Sequence, residues 1–171
     1  RALALCDGLI IDVRNNGGGM LTAAQKLASV FLNAKTLVGY VRHKTGRAHN
    51  AFSAPEPIYI EPFEGLRWTK PVVILTNRRT YSAANAFVAY LKGRAGVTVV
   101  GDVTGGGSGM PLATELPNGW TLRFSACPMY DAHMRLTEAG ISPDIRQDLA
   151  PDALQTGRDD IIERARTLLR Q

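Results

Sequence analysis

Only two cysteines, Cys6 and Cys127, occur among the 171 residues. Two thiols cannot build a disulfide framework, and these two lack the paired spacing of a zinc site. Their apolar neighbours suit buried free thiols, with a single structural disulfide left open. No apolar run approaches the roughly 18 residues that a membrane span needs. No secretory h-region or basic transit segment opens the sequence, so it does not report its own address. Concentrated charge is also missing: the net charge is +5, yet Lys and Arg are scattered singly, with Arg78–Arg79 the densest pair. A nucleic-acid binder gathers its charge on one face or helix, so a solvated basic surface and no nucleic-acid partner are expected. Histidine is scarce too. His43, His49 and His133 lie in no motif and read as loop residues rather than general bases. No cluster implies a metal or an organic cofactor, and there is no internal repeat or low-complexity tract.

What is present is the composition of a globular chain, 45% apolar and 20% charged. The length fits one domain or a large piece of a bigger one. The first residue is Arg1, and Arg1–Cys6 reads like the end of a helix already under way. That suggests a chain beginning inside a domain.

Residues 8–14 form a short apolar run without alternation, as in a strand buried on both faces. Helical spacing follows over Leu21–Leu32, then strand character over Thr36–Val41. Thr45–Phe63 is polar, carries three prolines, and reads as an irregular excursion or a hairpin. Residues 71–76 are the clearest strand; they lead through a polar turn into an alanine-rich helix over Ser82–Leu91. Val97–Val100 is another buried strand. Leu112–Leu116 and Trp120–Phe124 flank Pro117-Asn118-Gly119, a hairpin signal that suggests a type I′ turn. Asp159–Leu169 closes as a helix with an acidic start and a basic end. It could pack on its own sheet or on a neighbour. Strands alternating with helices predict an α/β layered domain with a hairpin insertion.

Four segments could carry chemistry. Tyr81-Ser82-Ala83-Ala84-Asn85 sits at a strand-to-helix elbow. A serine there lies near the positive end of the helix dipole, beside free N–H groups, as acyl transfer requires. The bland alternative is an N-cap serine. Asn15-Asn16-Gly17-Gly18-Gly19 follows a strand and precedes a helix, so its backbone could approach a ligand closely or hold an oxyanion. It lacks the order of either nucleotide-binding glycine motif, which argues against nucleotides. Thr104–Gly109 could cradle phosphate, line a peptide groove or be a flexible link. Thr137–Ile145 carries Glu138, which could orient a catalytic group, though an isolated Glu is more often on the surface.

Taken in order, the segments become specific. Leu9-Ile10-Ile11-Asp12-Val13-Arg14-Asn15-Asn16-Gly17-Gly18-Gly19, Ser82-Ala83-Ala84-Asn85, Val99-Val100-Gly101-Asp102-Val103-Thr104-Gly105-Gly106 and Gly140-Ile141-Ser142-Pro143-Asp144-Ile145 together resemble the motif series of the C-terminal-processing (tail-specific) and tricorn-core serine peptidases. The resemblance spans Gly8 to about Arg146. It implies a crotonase/ClpP-like fold of stacked β-β-α turns, with residues 1–171 as the C-terminal part of a larger catalytic domain. It also implies hydrolysis of a peptide or protein substrate through an acyl-enzyme. By the motifs Ser82 is the nucleophile, and the oxyanion donors are the N–H of Ala83 and one from the glycine turn, with Gly18 preferred and Gly17 next.

One departure stands out. Gly107 occupies the place of the tail-specific branch's general-base lysine, and Lys92 sits too early to replace it. The tricorn-like branch uses an upstream histidine and a glutamate whose place Glu138 matches. Here Glu138 would orient that histidine, with a serine as a conceivable bridge. The resemblance thus places the base before Arg1, and these 171 residues alone are expected to show little or no peptidase activity. The alternative is a peptidase scaffold used for non-catalytic binding of peptide or ligand. A crotonase-type acyl-CoA enzyme is disfavoured, because the glycine turn and serine elbow follow the peptidase pattern. Family resemblance suggests a periplasmic or cell-envelope home. Substrate preference and oligomeric state have no signal.

Overall fold

The computed structural model describes residues 2–170. A short 3-10 helix, Ala2–Leu5, stands where a helix end was expected; Arg1 lies outside the described residues. The ordered elements that follow are β1 (Leu9–Asp12), α1 (Leu21–Ser29), β2 (Thr36–Val41), β3 (Glu56–Ile60), β4 (Val72–Thr76), α2 (Ala83–Leu91) and β5 (Val97–Gly101). Then come β6 (Pro111–Glu115), β7 (Thr121–Ser125), β8 (Met129–Asp131), β9 (Ile145–Arg146), α3 (Pro151–Gln155) and α4 (Asp160–Leu169). The expected α/β class holds, with one parallel and two antiparallel sheets.

The central sheet is parallel, in the order β1-β4-β5-β9. Every residue of β4 is buried, which explains its unbroken apolar run. Val72 and Ile74 face α1 and α2, joined there by Ala28, Phe87, Val88 and Leu91. Val73 and Leu75 face the other way, against Ile161 and Ala165 of α4. So α4 packs on its own sheet. β1 differs from expectation: it is only half-buried, because it forms an edge of the sheet rather than an interior strand.

Asp159 caps α4 by accepting the N–H groups of Ile161 and Ile162, and it pairs with Arg14 at 2.7 Å. Burial alone would raise the Asp159 pKa. The Arg14 guanidinium and the two N–H donors outweigh it and hold the carboxyl below its ordinary value. A depressed pKa means the contribution is complete above the unfolded value of about 4 and disappears as pH falls below it. Asp159→Ala is therefore expected to cost about 1–2 kcal/mol at pH 7, the range of a lost cap, and distinctly less at pH 3. Denaturant midpoints at the two pH values measure the difference.

The remaining sheets are β3-β2-β8, antiparallel, and the β6–β7 hairpin. The hairpin forms as expected, but its turn is not type I′. Only Gly119 has positive φ, at 83°, since Pro117 is locked to negative φ; the N–H of Gly119 donates to Leu116 O and that of Leu116 to Trp120 O. Cys6 and Cys127 are free and half-exposed, not buried.

Candidate active site

β4 delivers the chain to a tight turn, residues 77–81, and α2 takes it away. Ser82 stands between them with φ 56° and ψ −122°, a conformation that costs a non-glycine residue of order 1–3 kcal/mol. Its hydroxyl makes no capping bond to the helix. The plain N-cap reading therefore fails: a capping serine has extended backbone and spends its oxygen on the helix N–H groups. Here the oxygen is free of the helix and the strain is retained, as in nucleophile elbows of hydrolases. The N–H of Ala83 donates to no acceptor among the described residues.

The glycine turn lies directly against this elbow. A methyl group on Gly18, where φ is +95°, would stand 2.6 Å from the carbonyl oxygen of Tyr81, 2.7 Å from the nitrogen of Ala83 and 2.7 Å from Cβ of Ser82. Only glycine permits that approach. The N–H of Gly18, however, donates to Asn16 Oδ1 at 2.9 Å. Those of Gly17 and Gly19 have no acceptor among the described residues. All three glycines line a cleft of about 540 Å³ with Ser82, Gly107, Pro111, Arg123 and Ser125. A smaller apolar recess of about 100 Å³ opens beside Ser82 between Leu21, Ala86, Met110 and Met129.

Glu138 reaches the same region through its backbone. The N–H of Ser82 donates to Gly106 O at 2.8 Å, and the next amide, of Gly107, donates to Glu138 O at 3.1 Å. Its carboxylate accepts Ser125 Oγ at 2.9 Å, with Ser108 Oγ at 3.5 Å. Ser125 thus bridges Glu138 to the cleft wall. No motif in the sequence marks Ser125, the last residue of β7.

Neither lysine position supplies an amine to Ser82. Gly107 has φ +67°, and a Cβ there would overlap the ring of Tyr81. Lys92 follows the last residue of α2, about 15 Å along the helix from Ser82, and its ammonium is paired with Asp144. None of the three histidines lines the cleft or the recess. His43 stands between Cys127 Sγ at 3.6 Å and Glu56 at 3.7 Å, while His133 borders a separate cavity beside Lys92. Among the described residues no group of His, Cys, Asp and Glu is placed to hold a metal ion, and no helix is long and apolar enough to cross a membrane.

The sequence model of peptidase family S41 matches residues 2–147. The carboxy-terminal processing protease CtpA of Bacillus subtilis is 27% identical over 146 residues, covering 85% of this chain and 29% of that protein. A candidate peptidase of Parabacteroides merdae ATCC 43184 has a crystal structure that superposes with a TM-score of 0.92 at 49% identity, over 96% of this chain and 52% of that one. Mature CPAF complexed with lactacystin shares the fold, with a TM-score of 0.86 at 18% identity, over 96% of this chain and 44% of that one. The chain spans about three-tenths of the length of the first curated relatives it matches.

Proposed function

The chain belongs to peptidase family S41, and we propose that it carries the nucleophile half of a serine peptidase that hydrolyses peptide bonds through an acyl-enzyme on Ser82. The observation that carries this reading is the strained Ser82, whose hydroxyl is unspent, beside the free N–H of Ala83 and the glycine turn. In that scheme Ser82 Oγ attacks the scissile carbonyl, and the proton passes to a general base. The developing oxyanion receives the N–H of Ala83 and one from the glycine turn. Since Gly18 N–H is committed to Asn16, Gly17 and Gly19 are the donors ready to act, and Gly18 serves once that bond opens.

The base is a histidine from outside these residues, a reading supported by glycine at the lysine position and by a cleft and recess that none of the three histidines lines. Glu138 holds that imidazole in place, with Ser125 as the bridge. The substrate is a peptide or protein, the fold detail is crotonase/ClpP-like, and family resemblance points to the cell envelope. Residues 1–171 are the C-terminal part of the catalytic domain.

Unfolded casein separates this from a purely binding role. The intact protein is expected to cleave it, with loss of cleavage after fluorophosphonate treatment. Cleavage that persists after complete modification of Ser82 contradicts the mechanism. Binding without cleavage supports the non-catalytic alternative.

A further inference from the structure

The glycine turn and the serine turn lie more than 60 residues apart, yet the oxyanion site exists only where they touch. What holds them in register is a set of hydrogen bonds centred on two asparagines. The N–H of Asn15 donates to Asn77 Oδ1 at 3.0 Å, and Asn77 Nδ2 donates back to Asn15 Oδ1 at 3.1 Å. Asn77 Oδ1 also accepts the N–H of Arg79 at 3.0 Å, so the same carboxamide braces its own turn. Asn15 itself has φ 60°, strain that the reciprocal amide pair offsets.

Two further bonds continue the seam. Thr80 Oγ1, fully buried, donates to Val13 O at 2.8 Å, and the N–H of Tyr81 donates to Asn16 O at 2.9 Å. Asn16 Oδ1 in turn takes the N–H of Gly18. The line therefore runs Asn77, Asn15, Asn16, Gly18, and ends against Ser82.

We propose that Asn77 is a positioning residue of the Ser82 site, its carboxamide clamping Asn15 so that the glycine turn presents its N–H groups at a fixed distance from the nucleophile. The inference rests on Ser82 being that nucleophile. Asparagine is required because the clamp needs an acceptor for two N–H groups and a donor for Asn15 Oδ1; aspartate supplies only the first, and alanine neither. The substrate does not touch Asn77, so its loss acts on the transition state through geometry. A misplacement approaching 1 Å costs about 100-fold in rate.

The test uses the intact protein, with peptide hydrolysis for kcat and KM and fluorophosphonate labelling of Ser82. Asn77→Ala is expected to lower kcat and the labelling rate about 10-fold to 100-fold, with KM changed less than about twofold. Asn15→Gly keeps the positive φ and the backbone N–H that donates to Asn77 Oδ1 but removes the acceptor for Asn77 Nδ2, and is expected to show a smaller loss in the same direction, about 3-fold to 10-fold, without unfolding. The double variant is expected to be no worse than Asn77→Ala alone, because both bonds of the clamp end on Asn77. Should Asn77→Ala fail to fold, Asn15→Gly decides alone. Wild-type rates in folded variants, or equal effects on KM and kcat, overturn the proposal. A wild-type protein that neither labels nor cleaves overturns the nucleophile reading, and this inference with it.

Discussion

Ser82→Ala is expected to abolish peptide hydrolysis by the intact protein, a loss of about 10⁴-fold or more in kcat. Fold stability is expected to change by less than about 0.5 kcal/mol, because the hydroxyl makes no capping bond whose loss would be felt. Ser82→Gly separates the two roles more sharply. Glycine occupies φ 56° without steric cost, so the strain at this position is relieved. That variant is expected to be inactive and yet about 1 kcal/mol or more stabler than the wild type. A paired measurement of hydrolysis and thermal midpoint reads both effects. A serine kept only as a helix cap would show the opposite pattern, with stability lost on either substitution.

Gly106→Ala is expected to have the largest effect on folding. Gly106 has φ +76°, and a methyl group there would overlap the carbonyl oxygen of Glu138 and stand 2.7 Å from its carbon and 2.8 Å from the nitrogen of Gly140. These are backbone atoms and cannot swing aside as a flexible side chain could. The same residue accepts the N–H of Ser82, so relief of the overlap must move the Glu138 turn away from the nucleophile turn. A cost of about 3 kcal/mol or more follows, which for a chain of this size is a fall of roughly 6–12 °C in the thermal midpoint. Gly119→Ala is the internal control. It has a similar φ of +83° at the hairpin tip but meets nothing within 4 Å, so only the backbone strain of about 1–2 kcal/mol is expected. Equal losses at the two positions would contradict the crowding argument.

The core and the site were legible to different depths for physical reasons. β4 and α2 announce themselves because a strand buried on both faces must be apolar throughout, and the helix behind it is alanine-rich over consecutive residues. β3 was legible only as one of two readings, an irregular excursion or a hairpin, because Pro57 reads as a breaker; the hairpin reading holds, with β3 antiparallel to β2 at the edge of its sheet. β8, β9 and α3 span three, two and five residues, too few for any period to show. The half-burial of β1 was misread because a sheet edge and a sheet centre can carry the same apolar run.

Ser82, the glycine turn and Glu138 were found through the order of their motifs, and the structure brings all three to one region. The commitment of Gly18 N–H to Asn16 was invisible, since it depends on how a turn folds on itself. So were the contact of Ser125 with Glu138 and the Asn15–Asn77 clamp, which join segments with no local signal of each other. The place of the lysine was legible as a glycine; the Tyr81 ring that lies over Gly107 was not.

The most direct test of the central claim is reaction of the folded, intact protein with a fluorophosphonate, followed by peptide mapping. A strained serine with an available oxyanion site predicts a single adduct, on Ser82, lost on denaturation before labelling. No adduct at Ser82 in protein shown to be folded, or an adduct on another serine at equal rate, would contradict the assignment of Ser82 as the nucleophile.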